Sequence, residues 1–115
     1  MKDIKFRLQV FKIASLCREF EESVIQNLKS KKIKIPTYVS AGQEFIPSTI
    51  SHICKKKKIK PLIFGQHRCH SIYISFGGNI KNLARELLSK PNGCTNGKGG
   101  SASIHSKKIK MYGHD

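Results

Sequence analysis

The chain has 115 residues, with 22 Lys and Arg against 7 Asp and Glu, and a formal net charge of +15. That length admits at most one modest domain, and an apolar share of 38% leaves a thin core, so exposed apolar surface would need a partner or more chain to cover it. No stretch approaches the ~20 apolar residues of a membrane span, and Gln9 and Lys12 break the apolar run Leu8–Cys17 that a secretory signal would keep whole.

The first predicted element is a long amphipathic helix. Val10, Ile13, Leu16, Cys17, Phe20, Val24 and Leu28 recur at three- and four-residue steps and share one face. Lys29, Lys31 and Lys32 lie near its end, where positive charge meets the negative pole of the helix dipole. Pro36 ends any helical run. Thr37–Gly42 reads as a turn. A second helix is predicted from Gln43 to about Cys54, with Phe45, Ile46, Ile50 and Ile53 as its apolar side and Pro47 in its first turn. Lys55–Lys58 and Lys60 lead to Pro61 and then to Leu62-Ile63-Phe64, a candidate buried strand. Gly65–Ser71 leaves that strand as a polar loop. Asn79 is a good N-cap for a third helix, Ile80–Ser89, with Ile80, Leu83, Leu87 and Leu88 inward. Pro91 and Gly93 end it, and Asn92–Ser103, with four glycines, is a loop. Helices with one or two strands predict the α/β class, as part of an incomplete parallel sheet.

The charge favours an anionic partner. Eighteen of the 22 basic residues are Lys, however, and Ile is abundant, a bias that genome base composition produces without any binding face. No aromatic residues interleave with Lys55–Lys58 to stack on bases. A small basic nucleic-acid-binding module is therefore the alternative reading rather than the first. Cys17, Cys54, Cys69 and Cys94 form no C-x-x-C pair, which suits free thiols in a reducing, cytoplasmic setting without a membrane.

Gly97-Lys98-Gly99-Gly100-Ser101 invites a phosphate-loop reading but lacks the spacing. Gly93 is one residue too close, and Lys98 is followed by Gly99. His67-Arg68-Cys69-His70 has no second ligand pair at zinc spacing, so no metal site is expected within the chain. The cluster suits an anion better, because Arg offers a rigid fork of donors to phosphate and His adds another. His105 and His114 have no partner nearby in sequence.

Arg18-Glu19-Phe20-Glu21-Glu22, Gly42-Gln43-Glu44, His67-Arg68-Cys69-His70, Glu86-Leu87-Leu88, Gly93–Ser101 and Gly113-His114 occur in that order. Together they resemble the alpha subunits of thiamine-diphosphate-dependent 2-oxo acid dehydrogenases of the pyruvate, branched-chain and acetoin type. That family shows an R-x-F-E helix, a G-Q-E helix start, a Y-R-x-H loop, G-K-G-G-S and G-G-H-G. The resemblance runs from about residue 10 to the last residue.

It implies the N-terminal part of a thiamine-diphosphate-binding fold, with residues 1–36 as a leading helix and 37–115 as the start of the cofactor domain. It implies oxidative decarboxylation of a 2-oxo acid with acyl transfer to a lipoyl group. The implied partners are a beta subunit, which supplies the activating glutamate in a heterotetramer, and a lipoyl-bearing acyltransferase. Arg68 is expected on the cofactor diphosphate, with His67 standing where the family has Tyr and Gly113 also beside the cofactor. His70 is expected at the same entrance, and His114 begins a second loop near the cofactor; both are candidate catalytic residues. Tyr38 stands where many members carry His, and Ala102-Ser103-Ile104 where they carry Met-His-Met, so substrate handling is expected to differ. The family's Gly-Asp-Gly…Asn magnesium motif is expected downstream of Asp115. The chain is thus expected to be an N-terminal portion, inactive by itself.

Overall fold

The computed structural model describes residues 2–113. Its elements are α1 (Lys2–Lys29), α2 (Phe45–Lys56), β1 (Ile63–Gly65), α3 (His70–Ser75), α4 (Ile80–Leu87) and β2 (Met111–Gly113). β1 and β2 pair in parallel, with Ile63 opposite Met111 and Gly65 opposite Gly113. α1 packs on α2 and α3, and α2 packs on α3. Mostly helical, with a two-stranded parallel sheet, the architecture is compatible with part of an α/β domain.

On α1 the buried seam is Val10, Ala14, Cys17, Glu21 and Val24, spaced by three and four residues. Leu16, expected on that face, is instead 46% exposed. It sits about 100° around the helix from Cys17, off the seam. The seam also carries a fully buried carboxylate, Glu21, four residues after Cys17 and three before Val24.

The apolar side of α2 faces outward. Phe45, Ile46, Ile50 and Ile53 are exposed, while Pro47, Ser48 and Ser51 are buried. Small side chains line the contact: Ser48 Oγ lies 3.4 Å from Ser75 Oγ, and Cys17 Sγ lies 3.5 Å from that same hydroxyl. Such residues let helices approach closely and leave the bulky face for another surface.

The predicted buried strand is buried on one face only. Ile63 is inside, but Leu62 and Phe64 are exposed. The polar loop expected through Ser71 gives way at His70 to α3. The helix turns His70, Ser71, Tyr73 and Ile74 into the interior, and Cys69 at its N-cap is buried as well. α4 begins as expected, with Asn79 Oδ1 accepting from the Asn82 N–H at 3.1 Å. Leu88, expected inward, lies at the C-cap and is exposed; Glu86 points inward with Leu83 and Leu87.

No proline ends α1 or α4. Lys31, Lys58 and Ser89 adopt left-handed backbone at the ends of α1, α2 and α4. The following N–H groups, of Lys32, Ile59 and Lys90, reach back to the carbonyls of Asn27, Cys54 and Arg85. These are Schellman closures built on non-glycine residues.

Candidate functional site

The loop that carries His67 and Arg68 and the strand end at Gly113 lie on the same edge of the sheet. Parallel pairing puts Gly65 beside Gly113 at the C-terminal ends of both strands, and the loop carrying His67 and Arg68 leaves directly from β1. In open α/β sheets this edge is where ligands bind. Gly113 is required for packing: a Cβ there would come within 2.7 Å of the Ile104 nitrogen and 2.8 Å of Ser103 Cα.

Arg68 has a left-handed backbone (φ 66°) and an exposed side chain. Its Nη1 donates to the Val39 carbonyl at 3.1 Å, which orients the guanidinium. His67 stands edge-on to Tyr38, with ring centroids 4.2 Å apart. Arg68 also borders a cleft of about 410 Å³ with an apolar lining that includes Ile46, Ile50, Leu62 and Phe64. The arrangement offers a cationic donor at the mouth of an apolar concavity.

His70 is not at that entrance. It is fully buried. Its Nδ1 lies 2.7 Å from Glu21 Oε1, and its Nε2 lies 2.8 Å from Ser101 Oγ. Ser101 Oγ also accepts from the Tyr38 N–H at 2.9 Å. Glu21 Oε2 accepts from the Ser40 N–H and, at 3.1 Å, from its hydroxyl. Ser40 Oγ continues to Ser71 Oγ at 2.6 Å. The Glu–His–Ser connectivity resembles a hydrolytic triad. Ser101 is buried, however, with its hydroxyl engaged on two sides, so the series ties elements together instead of facing a substrate. His114 lies outside the described residues.

Two further carboxylates hold the loops. Glu44 receives Arg18 Nε at 2.6 Å and Nη2 at 3.0 Å, and also the Gly42 N–H. The guanidinium of Arg18, with help from the Gly42 N–H, pulls the Glu44 carboxyl down to about 2. Glu86 organises the glycine-rich loop. Its Oε1 accepts from the N–H of Thr95 (2.6 Å) and Gly97 (3.0 Å), and its Oε2 from Gly99 (3.1 Å) and Gly100 (3.0 Å). Burial pushes Glu86 upward, yet these donors outweigh it and leave the carboxyl below its ordinary value. Gly93 admits this contact, since a Cβ there would meet the Glu86 backbone at 2.6 Å. The N–H groups that a phosphate loop would offer to a ligand are thus already taken by Glu86. Burial also raises the Cys69 thiol to about 11.

Glu21, Ser40, Ser71, Ser101 and Glu86 escaped sequence reasoning as site-forming residues. Glu21 and Glu86 did carry a signal, as acids placed at inward helical positions. Ser101 closes the G-K-G-G-S motif, whereas Ser40 and Ser71 carried no signal. Among the described residues no three His, Cys, Asp or Glu side chains converge as metal ligands, and no helix is long and apolar enough to cross a membrane.

Residues 12–115 match the sequence model of the family described as Dehydrogenase E1 component. The chain is 29% identical over 106 residues to pyruvate dehydrogenase E1 component subunit alpha-1, mitochondrial, of Arabidopsis thaliana, covering 92% of this chain and 26% of that protein. It is 34% identical over 106 residues to pyruvate dehydrogenase E1 component subunit alpha of Rickettsia prowazekii, covering 92% and 32%. It is 30% identical over 99 residues to the mitochondrial alpha subunit of Saccharomyces cerevisiae, covering 86% and 23%. The chain therefore spans a quarter to a third of the length of these curated relatives. Their names place some in mitochondria, so the family is not tied to the cytoplasm. No solved structure matches. With residues 12–115 matched and the ordered motifs tied to one another through Arg18–Glu44 and Glu21–His70–Ser101, the chain belongs to the dehydrogenase E1 component family, as a relative of pyruvate dehydrogenase alpha subunits.

Proposed function

We propose that this chain forms the phosphate-facing wall of the cofactor site in a thiamine-diphosphate-dependent 2-oxo acid dehydrogenase. The observation that carries the reading is Arg68, in the loop leaving the C-terminal end of β1 where Gly65 pairs with Gly113, bordering an apolar cleft. The chemistry fits the cofactor's diphosphate. Arg68 spends one donor on Val39 and has others for an anion. His67 adds a polar ring, and Gly113 lets the backbone pass close to its neighbours. When bound, thiamine diphosphate supplies the electron sink for cleaving the bond between the carboxyl and carbonyl carbons of a 2-oxo acid.

The residues of this chain bind, orient and support. Arg68 takes the diphosphate charge. His70 acts as a positioning residue, through Glu21 and Ser101, instead of standing at the entrance. His114 keeps its proposed catalytic role on the family motif alone. Residues 1–36 lead into the cofactor domain, which begins at 37. The family's Gly-Asp-Gly…Asn magnesium motif is not among these 115 residues, so magnesium would be held by other residues. Acyl transfer to a lipoyl-bearing acyltransferase and assembly with a beta subunit complete the reading. The exposed Ile46, Ile50, Leu62 and Phe64 support it, as an apolar surface of the kind a partner covers.

The test is carbon dioxide release from a panel of 2-oxo acids, by this chain extended to the family's full length and assembled with a beta subunit. Release from at least one acid, dependent on thiamine diphosphate, is expected. The 115-residue chain by itself should release none. Failure of the assembled enzyme on every acid would contradict the reading.

A further inference from the structure

The sequence carries two lysine runs, Lys55–Lys58 with Lys60, and Lys107, Lys108 and Lys110. Parallel pairing brings them together. Lys60 lies just before β1, Lys110 lies immediately before β2, and the Ile63 N–H donates to the Lys110 carbonyl at 2.9 Å. Parallel strands start at one common edge, so both runs gather at the end of the sheet opposite Arg68 and Gly113. Between them lies a cleft of about 590 Å³. Lys55, Lys60, Lys108 and Lys110 line it together with His52, and Ile13, Ile59 and Phe76 contribute apolar lining. These lysines are exposed. No Asp or Glu lines the cleft, and among the described residues none of the four lysines forms an ion pair.

Four ammonium groups around one concavity repel each other and concentrate positive potential there. Linked phosphates present more charge and more acceptor oxygens than a single phosphate and can meet several lysines at once. The apolar lining leaves room for a non-phosphate portion. A volume of this size falls within the roughly 300–1,000 Å³ of small-ligand pockets, which favours a small molecule over a nucleic acid.

We propose that this cleft is a second anion site, for a small ligand carrying a chain of linked phosphates, separate from the diphosphate edge. The proposal rests on the juxtaposed lysine runs and does not depend on the enzymatic reading.

The test is calorimetric titration of the 115-residue chain with tripolyphosphate, with sulfate at matched ionic strength as the reference. One-to-one binding in the micromolar range is expected, tighter than sulfate. The triple variant Lys60→Gln, Lys108→Gln, Lys110→Gln should weaken it by about tenfold or more, the scale of one or two charge-assisted contacts. A control triple with the same charge change, Lys29→Gln, Lys31→Gln, Lys32→Gln, should change it by less than about twofold. A nucleoside triphosphate that binds more tightly than tripolyphosphate would support a nucleotide ligand in the cleft. Equal affinity would support recognition of the phosphate chain alone. Equal losses in the two triples would overturn the proposal, as would a preference for long nucleic acids. Binding abolished by Arg68→Ala but kept by the cleft triple would place the anion at the other edge and overturn it too.

Discussion

Glu21 Oε1 lies 2.7 Å from His70 Nδ1, and both side chains are fully buried. Through this pair, one carboxylate joins α1 to α3, and its second oxygen holds the backbone at Ser40. His70 extends the tie to Ser101 in the glycine-rich segment. Removing the carboxylate strands a buried histidine and a buried N–H together. Glu21→Ala should therefore cost about 3–5 kcal/mol in urea unfolding, as for other buried pairs that lose one member. A loss below about 1 kcal/mol would show that the network contributes little.

Glu86 should act more locally. Its four N–H partners all lie between Thr95 and Gly100. In Glu86→Gln the side-chain amide would aim a donor at backbone donors. Amide hydrogen exchange at Thr95, Gly97, Gly99 and Gly100 is expected to accelerate far more than at Leu83 or Tyr73. Exchange that rises uniformly would point to global unfolding instead of release of this loop.

Acid should weaken the fold over a defined window. The Glu44 carboxyl falls from an ordinary 4.5 to about 2, because Arg18 favours its charged form. A depressed folded-state value means that the unfolded chain binds the proton more readily. The contribution is thus complete above pH 4.5 and drains away as pH falls toward 2. Glu86 shifts in the same direction and adds to the same limb. Arg18→Gln should move the Glu44 titration upward, as followed by carboxyl carbon NMR. Because Arg18 is half-exposed, salt should reproduce part of that shift. A titration unmoved by Arg18→Gln would contradict the pairing.

Much of the helical framework was legible, because Val10, Cys17, Val24, Leu83 and Leu87 repeat at helical spacing and Asn79 is a recognisable cap. The direction of the α2 face was not. Ile46 and Ile50 make an ordinary amphipathic pattern, and only the close approach of Ser48 and Ser75 shows that the polar side is inward. α3, six residues long, is too short for helical periodicity to mark it, and its buried face of His70, Tyr73 and Ile74 emerges only in the fold. The motif order identified the family, but local sequence could not separate Arg68, which is exposed, from His70, which is enclosed two residues later. Only the pairing with Glu21, across 49 positions, makes that distinction.

The helix ends offer a stabilising change. Ser89 holds a left-handed conformation (φ 57°) at the close of α4. A side chain there is strained, by roughly 1 kcal/mol relative to glycine. Ser89→Gly should raise thermal stability, with a gain of about 0.5–1 kcal/mol after the extra freedom of the unfolded chain is counted. A drop in stability would mean that the Ser89 side chain contributes a contact worth more than the strain.

The strand edge carrying Arg68 is proposed to receive the cofactor diphosphate. The deciding measurement is site-resolved NMR of the chain extended to the family's full length and assembled with a beta subunit, titrated with thiamine diphosphate and magnesium and, in parallel, with thiamine lacking phosphate. Thiamine diphosphate should perturb the amides of His67, Arg68 and Gly113, thiamine should not, and Arg68→Ala should weaken the effect several-fold, in line with the roughly 1.5–3 kcal/mol of a charge-assisted contact. Unperturbed amides at this edge, or a response unchanged in Arg68→Ala, would contradict it.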